Sequence, residues 1–208
     1  MNVTQSPEQI ETSNPAKSRC NSTFLIYNVD IPFAKQTDPK YLQELRKLEE
    51  KLNDPREIEK ACVHETGHLL YFARVGVTKT YIQVPRIFPK GEQFDYHMAA
   101  VGTERQQISA TNARRLILVA RAIAAGGVFL QELKGVQNGG DNDDYTNFVE
   151  YCELYQRTVS SKPFNKRKLW RKAQNHVKRE LQRKDSLLLR AGDMANMLKR
   201  LFFFRIIV

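Results

Sequence analysis

The stretch ACVHETGHLLYFARVG, residues 61–76, decides how this chain is read. Its apolar positions recur at helical spacing, yet His64, Glu65 and His68 stand within it in the order His-Glu-x-x-His. On an α-helix, positions four apart differ by about 40° of rotation and about 6 Å of rise, so the two imidazoles project side by side and can meet one ion. Glu65 lies beside them and stays free to act on a water. Neutral imidazoles suit zinc, and a catalytic zinc site keeps one position open for a water whose pKa the metal lowers. Glu65 would take that water's proton as general base and hand it to a leaving amine. Gly67 is unfavourable in mid-helix unless another group approaches its backbone. Cys62 has the wrong spacing to join the pair and reads as a small buried residue.

Outward from this helix the punctuation is clear. Asp38-Pro39 and Asp54-Pro55 each pair a capping oxygen with proline at the first helical position, predicting one helix with the stripe Tyr41, Leu42, Leu45, Leu48 and Leu52, and a second that runs to Gly76. TKTYIQVP, 78–85, reads as a strand ended by Pro85, with a second extended segment at 94–101 and a short strand within 22–33. These would form the one sheet. From Asn112 to Lys134 the apolar residues are too dense for an exposed helix, so this is the expected core helix. Its Gly126-Gly127 pair implies close packing of another backbone. After the turn-rich 135–148 stretch a helix is expected with Phe148, Cys152 and Tyr155 on one side, followed by helices over 168–184 and 186–204.

Length and composition fit one domain: 208 residues, 41% hydrophobic, with a polar tail at 1–22 read as disordered and a single domain over 23–208. The first twenty residues lack a signal-peptide core, and no run is read as approaching the roughly 18–20 apolar residues of a membrane span. Three cysteines without a C-x-x-C pair argue against a disulfide framework or a cysteine zinc site. An intracellular, soluble protein of the cytoplasm or a plastid-like compartment is expected. Residues 157–208 hold 15 Lys plus Arg against three acids, net +12, and the remainder is nearly neutral. A solvated helical face explains this charge most simply, and no aromatic-interleaved nucleic-acid signature accompanies it.

Two histidines need a third ligand. Metzincins would carry Gly at 71 and His at 74, where this chain has Tyr71 and Arg74. Glu92 and Glu104 lack a helical context for a thermolysin-like ligand. Asp141, Asp143 and Asp144 remain, at a helix head where acids are favoured in any case.

The series His64-Glu65-Thr66-Gly67-His68, Ile82-Gln83-Val84-Pro85-Arg86, Ala125-Gly126-Gly127, Gln131-Glu132-Leu133 and Gly139-Gly140-Asp141-Asn142-Asp143 resembles the peptidase domain of FtsH-type zinc metalloproteases over roughly residues 55–205. The resemblance implies a mainly α domain with a small β element beside the His-Glu-x-x-His helix, a metal-site core at 55–156 and a basic helical hairpin at 164–205. It also implies zinc bound by His64, His68 and Asp143, with Glu65 as general base. Thr66 replaces the family's alanine and Asp141 its serine. No G-x-x-x-x-G-K-[ST] motif occurs, so hydrolysis would be ATP-independent, on peptides or unfolded protein, with a homo-oligomer or an FtsH-type ATPase as partner. Two other readings are a catalytically silent metal-binding scaffold that partners such a protease, and a nucleic-acid binder using the basic helices. The strand at Tyr81–Val84 would offer an edge to an extended peptide. His97 and His176 are expected at the surface, and the terminal LFFFRIIV in packing or a subunit contact.

Overall fold

Both Asp-Pro pairs start helices as their chemistry requires. Asp38 accepts the Lys40 N–H at 2.9 Å and opens α1, Pro39–Asn53, while Asp54 accepts the Arg56 N–H at 2.8 Å and opens α2, Pro55–Arg74. The structure, a computed structural model, describes residues 28–29, 35, 38–77, 80–83, 86–98, 100–103, 110–136 and 141–202. The 1–22 tail, Glu104 and residues 203–208 of the terminal apolar run therefore lie outside the described residues.

The protein is mainly helical. After α2, Gly76 at φ 79° takes the left-handed conformation that stops the helix, and a β region follows. α3, Ala113–Lys134, is capped by Asn112 and ended by Gly135 at φ 66°. α4, Asp141–Thr158, α5, Lys166–Arg183, and α6, Asp185–Phe202, complete the chain.

The β region departs from the single expected sheet. β1, Asn28–Val29, runs parallel to β3, Arg86–Lys90, which pairs antiparallel with β4, Gln93–His97; separately, β2, Thr80–Gln83, pairs antiparallel with β5, Ala100–Thr103. β3 is hidden in the sequence by Pro89, which breaks the pattern of a central strand. Among the described residues β1 pairs with Arg86 and Ile87, and Pro89 stands opposite Phe94 of β4. Gly91 at φ 64° then turns the hairpin.

α3 is the hub, packed most extensively on α2 and also on α4 and α5, while α6 lies along α2. By length and composition α3 could cross a membrane, which corrects the reading that no segment approaches a spanning run. Its apolar surface is covered by the other helices instead, and most of that stretch is buried. Ala120, Ala122, Ala124 and Ala125 are wholly buried, with Ala122 and Ala125 on the side that meets α2, and Phe129 and Phe148 are wholly buried as well. Each such aromatic contributes about 1.5–3 kcal/mol through burial. A second cluster, Leu48 and Leu52 of α1 with Ile58, Ile87, Phe94 and Leu198, joins α1 and the three-stranded sheet to the far side of α2. Cys62 packs in that cluster as expected, its thiol pushed up to about 12 by burial.

Candidate metal centre

The α2–α3 crossing is made by glycine from both sides. A Cβ on Gly67 would lie 2.5 Å from the Ala125 carbonyl oxygen, and a Cβ on Gly126 would lie 2.4 Å from His68 Nε2 and 2.6 Å from His64 Nε2. Both sequence expectations of close approach hold here. The helices touch backbone to backbone, and the imidazoles occupy the space that a side chain at 126 would fill.

His64 and His68 do project side by side, with their Nε2 atoms 3.0 Å apart. His68 Nδ1 lies 3.0 Å from the Ala122 carbonyl oxygen, which can only accept, so Nδ1 carries a hydrogen and Nε2 is the nitrogen a metal would meet once the ring is neutral. Such an outer partner fixes the ring of a metal-ligating histidine. From α4, Asp144 closes the group: Oδ1 is 3.3 Å from His68 Nε2 and Oδ2 is 3.4 Å from His64 Nε2.

The acid at the imidazoles is thus Asp144 and not the Asp143 that the family resemblance implies. Adjacent helical residues diverge by about 100°, so only one of the two can face inward. Asp143 is exposed, and its charge is felt by Lys90. Asp144 stands four residues before Phe148 and eight before Cys152, on the buried side of the helix. That phase was present in the sequence, because Phe148, Cys152 and Tyr155 had already marked the inner face. Among the other acids considered, Glu92 is exposed in the β3–β4 turn, and the side chain of Asp141 lies outside the described residues. The side chain of His97 does too, whereas His176 is half-buried against Glu180 rather than at the open surface.

The donor set fits a divalent ion. His64, His68 and Asp144 each offer an atom within 4.8 Å of the others. Tetrahedral zinc with ligands at about 2.0–2.1 Å separates neighbouring donors by about 3.3 Å, close to the 3.0 Å between the imidazoles and to the 3.3 and 3.4 Å from each imidazole to a different oxygen of Asp144. Asp144 Oδ2 is fully buried and makes no hydrogen bond, an acceptor left over for a cation. Burial by itself pushes the His68 imidazole down, but the charge and hydrogen bond of Asp144, helped by Glu65 and the Ala122 carbonyl, reverse this and raise it to about 9. The same negative potential that draws a proton would draw a metal ion.

Glu65 completes the centre. Its Oε2 accepts the Val101 N–H of β5 at 2.6 Å, and the residue is 5% exposed. Burial raises its carboxyl above the usual range, opposed by the charge on His68 and by the Val101 N–H. Neither the Val101 nor the Ala122 partner was legible in the sequence, since both act through the main chain. A cleft of about 460 Å³ opens from His68 and Asp144, walled by Phe72, Ile123 and Leu154 and by Tyr81 of β2.

No protein-family model, curated protein or solved structure matches this chain. The chemistry of the site must carry the functional argument alone.

Proposed function

We propose that the chain is a zinc-dependent, ATP-independent metallopeptidase of the FtsH-peptidase kind, with His64, His68 and Asp144 as ligands and Glu65 as general base. One observation carries the reading: two imidazoles and a carboxylate converge at a buried point beside a second, basic carboxylate, at the head of a cleft. A structural metal site would have no need of Glu65. Zinc held there would supply Lewis acidity, polarising a peptide carbonyl and easing deprotonation of a water. The protein's residues do the rest. The Val101 N–H holds Glu65 by Oε2, and Oε1 takes the proton of the attacking water and delivers it to the departing amine. The raised carboxyl of Glu65 suits both transfers. The Ala122 carbonyl keeps the His68 lone pair aimed at the metal position. β2, paired only with β5 among the described residues, offers its other edge to an extended peptide lying in the cleft.

The test is zinc stoichiometry together with cleavage of a labelled unstructured polypeptide. One zinc per chain is expected, with Glu65→Gln keeping the metal and losing about 10²–10⁴-fold in rate. A zinc-loaded wild-type chain that cleaves nothing would overturn the enzyme reading in favour of the metal-binding scaffold.

A further inference from the structure

At the far end of α2 lies a second hollow, of about 330 Å³, which the metal chemistry does not use. Arg74 of α2, Arg121 of α3, His176 of α5 and Lys184, just after α5, all face it, and Glu180 is the single acid in its wall. Glu180 accepts the Tyr71 hydroxyl at 2.6 Å, Arg74 Nη1 at 2.9 Å and Lys184 Nζ at 3.2 Å, and lies 3.5 Å from His176 Nε2. Arg121 has no hydrogen bond or ion pair among the described residues. With His176 neutral, three fixed positive charges thus meet one negative charge. The His176 ring reports the balance: burial and then Arg121 lower its proton affinity, joined by Arg179 and Arg74, and Glu180 does not restore it. Val75 and Leu118 give the hollow an apolar floor, where charges are less screened than at an open surface.

We infer that this hollow binds a phosphate group, with Arg121 as the free guanidinium that grips it and Arg74 and Lys184 as the flanking cations. Guanidinium matches phosphate oxygens in pairs, and two uncompensated positive charges suit a dianion. Tyr71 is buried, with the Arg74 guanidinium 4.7 Å over its ring and Phe129 edge-on to it, so it offers no face for base stacking. The ligand is therefore recognised by its phosphate, carried either by a small soluble monoester or by a phospholipid headgroup. Binding draws a proton toward His176, because a dianion added to the hollow offsets Arg74, Arg121, Arg179 and Lys184 together.

The experiment follows the imidazole of His176, one of four histidines, by NMR in the zinc-loaded chain at constant ionic strength. Inorganic phosphate and glycerol 3-phosphate are titrated against matched chloride, and vesicles with and without phosphatidic acid are tested for sedimentation of the protein. A saturable shift is expected, weakened about tenfold by Arg121→Gln, the loss of one charge-assisted contact, and unchanged by Lys168→Gln on the exposed face of α5. Saturation by glycerol 3-phosphate without vesicle binding identifies a soluble ligand. Arg121-dependent sedimentation with phosphatidic acid identifies a headgroup. A linear response, or equal weakening by the two substitutions, overturns the site and leaves only a diffuse basic surface.

Discussion

One helix, α2, meets its neighbours in two opposite ways less than three turns apart. Around His64, Gly67 and His68 it touches α3 through missing side chains, and the contacts are main chain and imidazole in a buried crossing. Around Tyr71 and Arg74 it reaches α5 through long side chains that share Glu180 in a half-open setting. The first junction admits one geometry. The second is a set of adjustable charges. Tyr71 and Arg74, at the metzincin positions, thus tie α2 to α5, and the carboxylate beside the imidazoles comes from α4. Closeness brings the donor atoms of the first junction together and makes it intolerant of change, whereas the second can lose a member and re-form.

The largest effects should come from adding single methyl groups at the first junction. In Gly67→Ala the new Cβ would meet the Ala125 carbonyl oxygen and carbon at 2.5 and 2.7 Å, both main-chain atoms, so the helices must part. A loss of about 3 kcal/mol is expected, the upper end of usual overpacking costs, read as a lowered denaturant midpoint. In Gly126→Ala the obstructed atoms are imidazole tips, which can swing aside. That variant should keep most of its stability, within about 1–2 kcal/mol, yet lose zinc. If the two variants fell equally in stability and both kept zinc, the crossing would not be the constraint described.

The third ligand gives the next contrast. Asp144→Asn should weaken zinc binding at least about a hundredfold, more than loss of an outer-sphere partner costs, while Asp143→Asn, one residue away and exposed, should leave both zinc affinity and stability within about 0.5 kcal/mol. A larger effect at 143 would restore the ligand set that the family resemblance implies. Isothermal titration with zinc of both variants decides between them.

What the sequence disclosed follows from where each signal is stored. The helix starts at Asp38 and Asp54, the stop at Gly76, and the side-by-side imidazoles are local properties, settled within a few residues. The glycines at 67 and 126 were legible as demands for close approach, though not as demands on each other. Which acid meets the imidazoles depends on helical phase, and the letter-by-letter resemblance points to Asp143, one residue and about 100° from the Asp144 that lies there. β3 was invisible because Pro89 breaks the pattern of a central strand, and its pairing opposite Phe94 of β4 is a tertiary fact. The main-chain partners of Glu65 and His68 leave no trace in side-chain identity at all. The apolar density of α3 was read correctly as a core, although the same density meets the length and composition of a span, and only the surrounding helices separate the two.

The smallest expected effect is a slope with pH, and it tests how Asp144 would favour a cation at the first junction. Burial lowers the proton affinity of His68, but the charge and hydrogen bond of Asp144, with Glu65 and the Ala122 carbonyl, raise it from 6.5 to about 9. In the metal-free chain the protonated ring therefore contributes stability that is fully present below about pH 6.5 and is lost as pH rises through about 9. Zinc needs the neutral ring, so binding at pH 7 must expel that proton, and affinity should climb by up to tenfold per pH unit until about pH 9 and then level off. Calorimetry in buffers of different ionisation enthalpy should count about one proton released at pH 7, falling toward none at pH 10. Asp144→Asn removes the charge that holds the proton, so its weaker zinc affinity should level off at a lower pH than in the wild type. A wild-type affinity already flat between pH 6.5 and 9 would mean that Asp144 does not govern His68, and the cation at the buried junction would need another anchor.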